Sequence, residues 1–455
     1  MAFTRRGFMM GCSTAIASMA GARFGSFAFA DPLGSFNDET LVVVFLRGGM
    51  DGLNLVPPIG GADRGHYETA RADLAVPISG ASAALPLGTS PFGLHPSASA
   101  LHDLYTNGSL AIVQAVGMDV NNRSHFDSMD FIERGTPGDK TTSTGWLTRH
   151  LSSASNLPSE IIMPALSVGN LQTTSLLGER DAVNMEDPGS FNFNSGYGQW
   201  RDAQRVAMRN LYGGTTWLHQ AGLSALDAMD IIELNAPDNY TPANGASYPS
   251  GSFGDHMQVV AQMIKLNLGL RVATVDLGGW DTHNGQGNDG GGYFAGIVET
   301  LSQGLNALYT DLDGNGAQNY TSRLTTVVQS EFGRRLRQNE DDGTDHGHAN
   351  MMLVMGGSVN GGLHGTWPGL SNDQLYDNAD LAVTTDYRQV LSEILIRRMG
   401  NNQLGTIFPG YQDYAPINVV QGPDLTPVYG AEIFGDNFEG GDMSRWSAIT
   451  GAATR

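Results

Sequence analysis

Carboxylates and histidines recur just behind three apolar runs of this chain. Leu41-Val42-Val43-Val44-Phe45-Leu46 leads into Arg47-Gly48-Gly49-Met50-Asp51-Gly52. The run from Leu270 to Leu277 leads into Gly278-Gly279-Trp280-Asp281-Thr282-His283. Leu324 to Gln329 leads into Ser330-Glu331-Phe332-Gly333-Arg334, with Asp345-His346-Gly347-His348 shortly after. Acids and imidazoles together make a hard nitrogen and oxygen ligand set, suited to a divalent metal. Asp281 and His283 are two residues apart, as are His346 and His348, and in extended chain such pairs share a side. Asp51, Asp281, His283, Glu331, His346 and His348 are therefore the predicted metal ligands. Zinc is the first choice, with manganese, iron or calcium as alternatives. Two such ions about 4 Å apart would serve an in-line displacement at phosphorus or sulfur.

A nucleophile is predicted at Ser124, in Arg123-Ser124-His125-Phe126-Asp127. Ser124-x-x-Asp127 reads as a capped helix start. A hydroxyl at a helix N-terminus sits in a positive field that favours a bound oxyanion. Arg123 would clamp a phosphate or sulfate oxygen, and His125 would act as general acid or base. A plain N-cap serine is the simpler alternative. Arg47, Arg334 and Arg335 lie in the same strand-end loops, to balance the acids or grip an anion.

Positioning these residues requires a sheet whose strands end together. Each run is continuous in apolar residues, the pattern of strands buried on both faces. A further strand is predicted at 110–116, and a short one at 353–355. Helices are predicted near 97–107, from 124 to about 135, and at 141–151, 199–211, 217–234, 255–268, 293–310 and 386–399. Residues 62–90 and much of 160–250 read as irregular. The alternation predicts an α/β fold, a doubly wound, mostly parallel sheet with helices on both faces. Ligands bind such sheets beyond the carboxyl ends of the strands.

Composition narrows the partners. The chain has 455 residues and a net charge of −21, which argues against nucleic acid. Residues 1–30 read as a signal segment: Thr4-Arg5-Arg6-Gly7-Phe8-Met9 fits the twin-arginine pattern, and Ala28-Phe29-Ala30 fits a cleavage site. Its expected partner is the twin-arginine translocase, and the expected location is periplasmic or secreted. The one cysteine, Cys12, lies within this segment, so disulfide and thiolate chemistry are not expected of the mature chain. No later stretch is long enough to span a bilayer. Residues 31–421 read as the α/β domain, and 422–455 as a tail for sorting or attachment.

The motifs together resemble the DUF1501 proteins, exported bacterial proteins distantly similar to the alkaline phosphatase and sulfatase superfamily. The resemblance spans about 40–420 and rests on the twin-arginine leader, Phe45 to Leu53, Arg123 to Asp127, Gly279 to His283, Ser330 to Arg334 and Asp345 to Asn350. It implies an alkaline phosphatase-like fold with metal ligands at Asp51, Asp281, His283, Glu331 and His346 or His348. It also implies a nucleophile at Ser124. The expected activity is hydrolysis of a phosphate or sulfate ester, on a small molecule or a polysaccharide. The alternative is a non-catalytic exported protein that contains metal and binds a polysaccharide or surface partner.

Overall fold

The computed structural model describes residues 37–430, apart from 156, 158–160, 162, 192–199 and 237–239. The predicted signal segment, and the predicted tail beyond 430, lie outside the described residues. The strands, in chain order, are β1 Thr40–Leu46, β2 Leu85–Pro86, β3 Gly93–Leu94, β4 Leu110–Gly117, β5 Ala165–Val168, β6 Ala182–Met185 and β7 Val272–Leu277. After them come β8 Leu324–Ser330, β9 Arg334–Gln338, β10 Thr344–His346, β11 Asn350–Met355, β12 Gly362–His364 and β13 Thr385–Asp386.

The main sheet has the order β12-β4-β11-β8-β1-β7-β5-β6, with β13 paired to β4. All its pairings are parallel except those of β11, which runs against both β4 and β8. The mixed α/β architecture and mostly parallel sheet are as the strand and helix pattern predicts.

Alternation along β1 divides the interior in two. Val42, Val44 and Leu46 join one core, with Met257 and Val260 from helix Ser252–Leu266 and Leu301 and Leu305 from helix Gly292–Leu312. Leu41, Val43 and Phe45 join the other, with Leu147 from helix Trp146–Ser153 and Val390, Leu391 and Ile394 from helix Tyr387–Arg397. Every residue of β1 is buried, which is why its sequence does not alternate with polar residues.

Register decides where the loops fall. Leu46 lies opposite both Leu277 and Ser330, so β1, β7 and β8 end level. The antiparallel β11 begins at that same edge, where Asn350 faces Val116 of β4. Segments after four strands and before a fifth therefore gather at one rim. Among the elements that escaped the sequence pattern are β5 and β6, within the stretch read as irregular, and helix Gly61–Ala70, where two glycines and several polar residues obscure the apolar period. Among the described residues, no helix is long and apolar enough to cross a membrane.

The interior also carries a pH liability. His150 is buried, Asn401 donates to its Nδ1 over 3.1 Å, and its Nε2 has no partner. Burial, helped by the charge of Arg271, pushes its pKa down to about 4. In the unfolded chain it returns to about 6.5. The unfolded state then binds a proton that the native state refuses, so this stability is complete above pH 6.5 and lost as pH falls toward 4. The loss is about 3 kcal/mol for this one group. Urea titrations at pH 7 and 4.5 should show a smaller acid loss for His150→Gln than for the parent; equal losses would contradict the assignment.

Candidate metal centre

Asp281 is the hub of the rim. Its Oδ1 lies 3.3 Å from His125 Nε2, 3.2 Å from His283 Nε2 and 3.2 Å from His346 Nε2. The Nε2 atoms of His283 and His346 are 2.9 Å apart. His125, Asp281 and His346 offer donor atoms that all lie within 4.8 Å of one another. His283 joins them through Asp281 and His346.

The far side of each ring fixes the proton. His125 Nδ1 lies 2.7 Å from Glu331 Oε1, His283 Nδ1 lies 3.1 Å from Asp345 Oδ1, and His346 Nδ1 lies 2.8 Å from the Arg123 carbonyl. A carbonyl or an ionised carboxylate only accepts, so each Nδ1 must carry the hydrogen. In the neutral rings, each Nε2 then presents a lone pair toward the Asp281 carboxylate. Lone pairs that face each other with no hydrogen between them repel, and a cation among them removes the conflict. The orphaned His125 Nε2, which has no hydrogen-bond partner, is the sign of that conflict. Tetrahedral zinc, with ligands at about 2.0–2.1 Å, sets donor atoms about 3.4 Å apart. Carboxylates or carbonyls behind ligating imidazoles are the usual support of a metal centre.

Charge points the same way. Burial works against ionisation of Asp281, but the hydrogen bond and charge of Arg334 outweigh it and hold the carboxyl at about 2. His125 is pushed up, chiefly by its hydrogen bond to Glu331, so its ring tends to hold a second proton on Nε2, toward Asp281, in the place a cation would take. His346 is pushed down by burial, which keeps its ring neutral and its lone pair free. The Asp281 and His283 side chains are 50% and 42% exposed, so the cluster opens to solvent on that side.

Arg334 builds the frame and is fully buried. Its Nε donates to the Gly49 carbonyl (2.6 Å) and its Nη1 to that of Thr344 (2.8 Å). Its Nη2 donates to the carbonyls of Gly48 (2.5 Å) and Trp280 (3.1 Å) and to Asp281 Oδ1 (2.6 Å). One guanidinium thus ties together the loops after β1 and β7 and the β9–β10 hairpin. Gly48 has φ +122°, and a Cβ there would meet the Asp281 nitrogen at 2.5 Å, so only glycine lets these loops approach so closely.

Three of the six predicted ligands converge, namely Asp281, His283 and His346. The other three do not. Asp51 is fully buried and held bidentately by Arg71 at 2.6 and 3.0 Å, with Gln286 donating to it at 2.7 Å. Glu331 stands behind His125, accepting also from the Gly48 N–H (2.8 Å) and the Ser330 hydroxyl (2.9 Å). His348 stacks on Tyr376, with ring centroids 4.1 Å apart. His125, predicted as an acid or base, takes a place among the donors. Arg71, Asp345 and Asp380 have no role assigned from sequence: no spacing signals Arg71 as the partner of Asp51, or Asp380 as the partner of Arg123, 257 residues away.

The Asp51–Arg71 pair has a measurable consequence. Both side chains are fully buried, and loss of one partner strands the other's charge. Arg71→Ala should cost about 3–5 kcal/mol of stability in a urea unfolding series. A change of under about 1 kcal/mol would mean the pair is not locked as described.

Ser124 is exposed and precedes helix His125–Arg134 as its N-cap, with its Oγ 3.5 Å from the Asp127 nitrogen. Its neighbours pin it to the cluster: the Arg123 carbonyl holds His346, and the His125 ring reaches Asp281. The Arg123 side chain donates to Asp380 Oδ2 at 2.5 Å.

Residues 219–405 match the family DUF1501, described as a protein of unknown function. That stretch contains Asp281, His283 and His346, and the resemblance drawn from the motifs is borne out over it. No curated protein matches the chain. Among solved structures, the chain is similar to the lipoteichoic acid synthase LtaP from Listeria monocytogenes. The similarity covers 72% of this chain and 68% of that one, at 9% identity and a TM-score of 0.26. That likeness is too slight to bear on chemistry.

Proposed function

We propose that this protein is an exported, metal-dependent hydrolase of phosphate or sulfate esters. The observation that carries the reading is the convergence of three imidazole Nε2 atoms on the Asp281 carboxylate, beside an exposed serine at a helix N-terminus. His125, His283, His346 and Asp281 would hold the metal. Three nitrogen donors and one carboxylate suit zinc, and manganese or iron next. Calcium, which prefers an all-oxygen shell, does not suit this set.

A bound divalent ion would supply Lewis acidity at the ester. The residues supply the rest. The Ser124 hydroxyl, open to solvent, is the nucleophile. Its proton passes to water as its oxygen bonds to phosphorus or sulfur, the bond to the ester oxygen breaks and the alcohol leaves. Water then releases the acid and restores the serine. Backbone N–H groups of the first helical turn face the developing charge. Arg123, anchored on Asp380, grips an anionic oxygen. With its Nδ1 on Glu331 and its Nε2 given to the metal, His125 would not be free for proton transfer and is not assigned to it. Export is supported by the Arg5-Arg6 segment, and the twin-arginine translocase would be the carrier.

A panel of aryl phosphates and sulfates, assayed with added Zn²⁺, Mn²⁺ or Fe²⁺, tests the reading. Turnover restored by one of these metals supports it. The locked Asp51 favours a second reading, a non-catalytic protein with one metal that binds a polysaccharide. Metal uptake with no turnover on any ester, together with binding of a polysaccharide, would favour that instead.

A further inference from the structure

Four arginines stand at this rim, and two of them are already committed. Arg47 pairs with Glu133 and Asp276, and Arg334 spends its donors on carbonyls and Asp281. Arg123 and Arg335 remain partly open, with side chains 30% and 43% exposed. Both lean on one carboxylate, Asp380: Arg123 Nη2 is 2.5 Å from Oδ2, and Arg335 Nε is 3.9 Å from Oδ1. Asp380 is fully buried, and its Oδ1 has no hydrogen-bond partner. The Nε atoms of both arginines also lack hydrogen-bond partners. One negative charge therefore anchors two positive ones.

This pair borders the metal centre on two sides. The Arg123 carbonyl holds His346. Arg335 lies on β9, which pairs with β10, the strand that carries Asp345, the partner of His283. The remaining neighbour is Asp377, 56% exposed and 3.7 Å from Arg123, a loose surface contact. In a chain of net charge −21, an anion reaches this rim only where local cations receive it.

We propose that Arg335 receives a second anionic group on the substrate and shares it with Arg123, whose other N–H groups grip the group attacked. The preferred ester then bears a carboxylate, sulfate or phosphate in addition to the group attacked. Asp377 is the surface acid that this second group displaces. The proposal rests on the hydrolase reading for the first group and adds Arg335 and Asp377 as the residues that select the second.

The test compares phenylphosphonate with 3-carboxyphenylphosphonate, titrated calorimetrically into the full chain with and without added Zn²⁺. Metal content is measured first, and failure to take up metal counts against the hydrolase reading. The present proposal is judged by the ratio of the two affinities in whichever form binds. The carboxylated ligand should bind about tenfold more tightly. Arg335→Gln should bring the ratio near one, while metal content and phenylphosphonate affinity stay within about twofold. Asp377→Asn should widen the ratio, an opposite sign that a merely structural role would not give. A parent ratio near one, a ratio that survives Arg335→Gln, a ratio not widened by Asp377→Asn, or no binding of either ligand would overturn it.

Discussion

Asp281→Ala is expected to abolish metal retention while leaving the fold intact. Its Oδ1 is the one atom that stands within 3.3 Å of all three Nε2 atoms, so its removal takes the anion from the centre of the donor set. Outer residues that merely orient metal ligands cost about 10–100-fold in affinity when lost. A direct carboxylate donor should cost more than that. The side chain is half exposed, so collapse is not expected. Arg334 does lose a partner, yet it keeps four carbonyl acceptors. Asp281→Asn serves as the companion variant: it keeps the size and an acceptor for Arg334 but removes the negative charge. Metal should fall in both, measured by elemental analysis, with far-ultraviolet circular dichroism unchanged. Retention of metal in both variants would remove Asp281 from the centre.

Ser124→Ala should lower ester turnover by about a thousandfold or more, the scale seen when a nucleophile is removed and binding remains. Metal content should not change, since no Ser124 atom stands among the donors. The complication is capping, because Ser124 also accepts from the Asp127 nitrogen. Loss of a cap costs about 1 kcal/mol. Ser124→Asn keeps a capping side chain but cannot form the ester intermediate, so it should be stable and equally inactive. Activity restored in the asparagine variant would assign Ser124 to capping alone.

Much of the rim was legible in the chain. The apolar runs gave β1, β7 and β8 to within a few residues, and the α/β pattern implied that their ends would share an edge. Asp281, His283 and His346 converge as that topology demands. What failed was the assumption that every strand-end acid faces the same point. Glu331 follows β8 directly, yet it turns inward to the Gly48 amide and the Ser330 hydroxyl and reaches the centre only through His125. Asp51 is neutralised by Arg71, which follows a helix whose glycines and polar residues hid it.

The His346 and His348 pair failed for a local reason. Alternation requires extended chain, but β10 ends at His346, its register shifts beside that residue, and the chain bends at 348. Gly347 packs so tightly on the Arg334 backbone that a Cβ would meet it at 2.4 Å. His125 shows the reverse error. Its position at a helix start suggested acid–base work, and only the placement of Glu331, 206 residues away, reveals that its Nδ1 is occupied and its Nε2 aimed at Asp281.

His125, Asp281, His283 and His346 are expected to hold one metal ion. Elemental analysis of the purified protein, before and after equilibration with Zn²⁺, Mn²⁺ and Fe²⁺, tests this most directly. One equivalent per chain is expected, lost in Asp281→Ala. A folded protein that takes up none of these metals would contradict it.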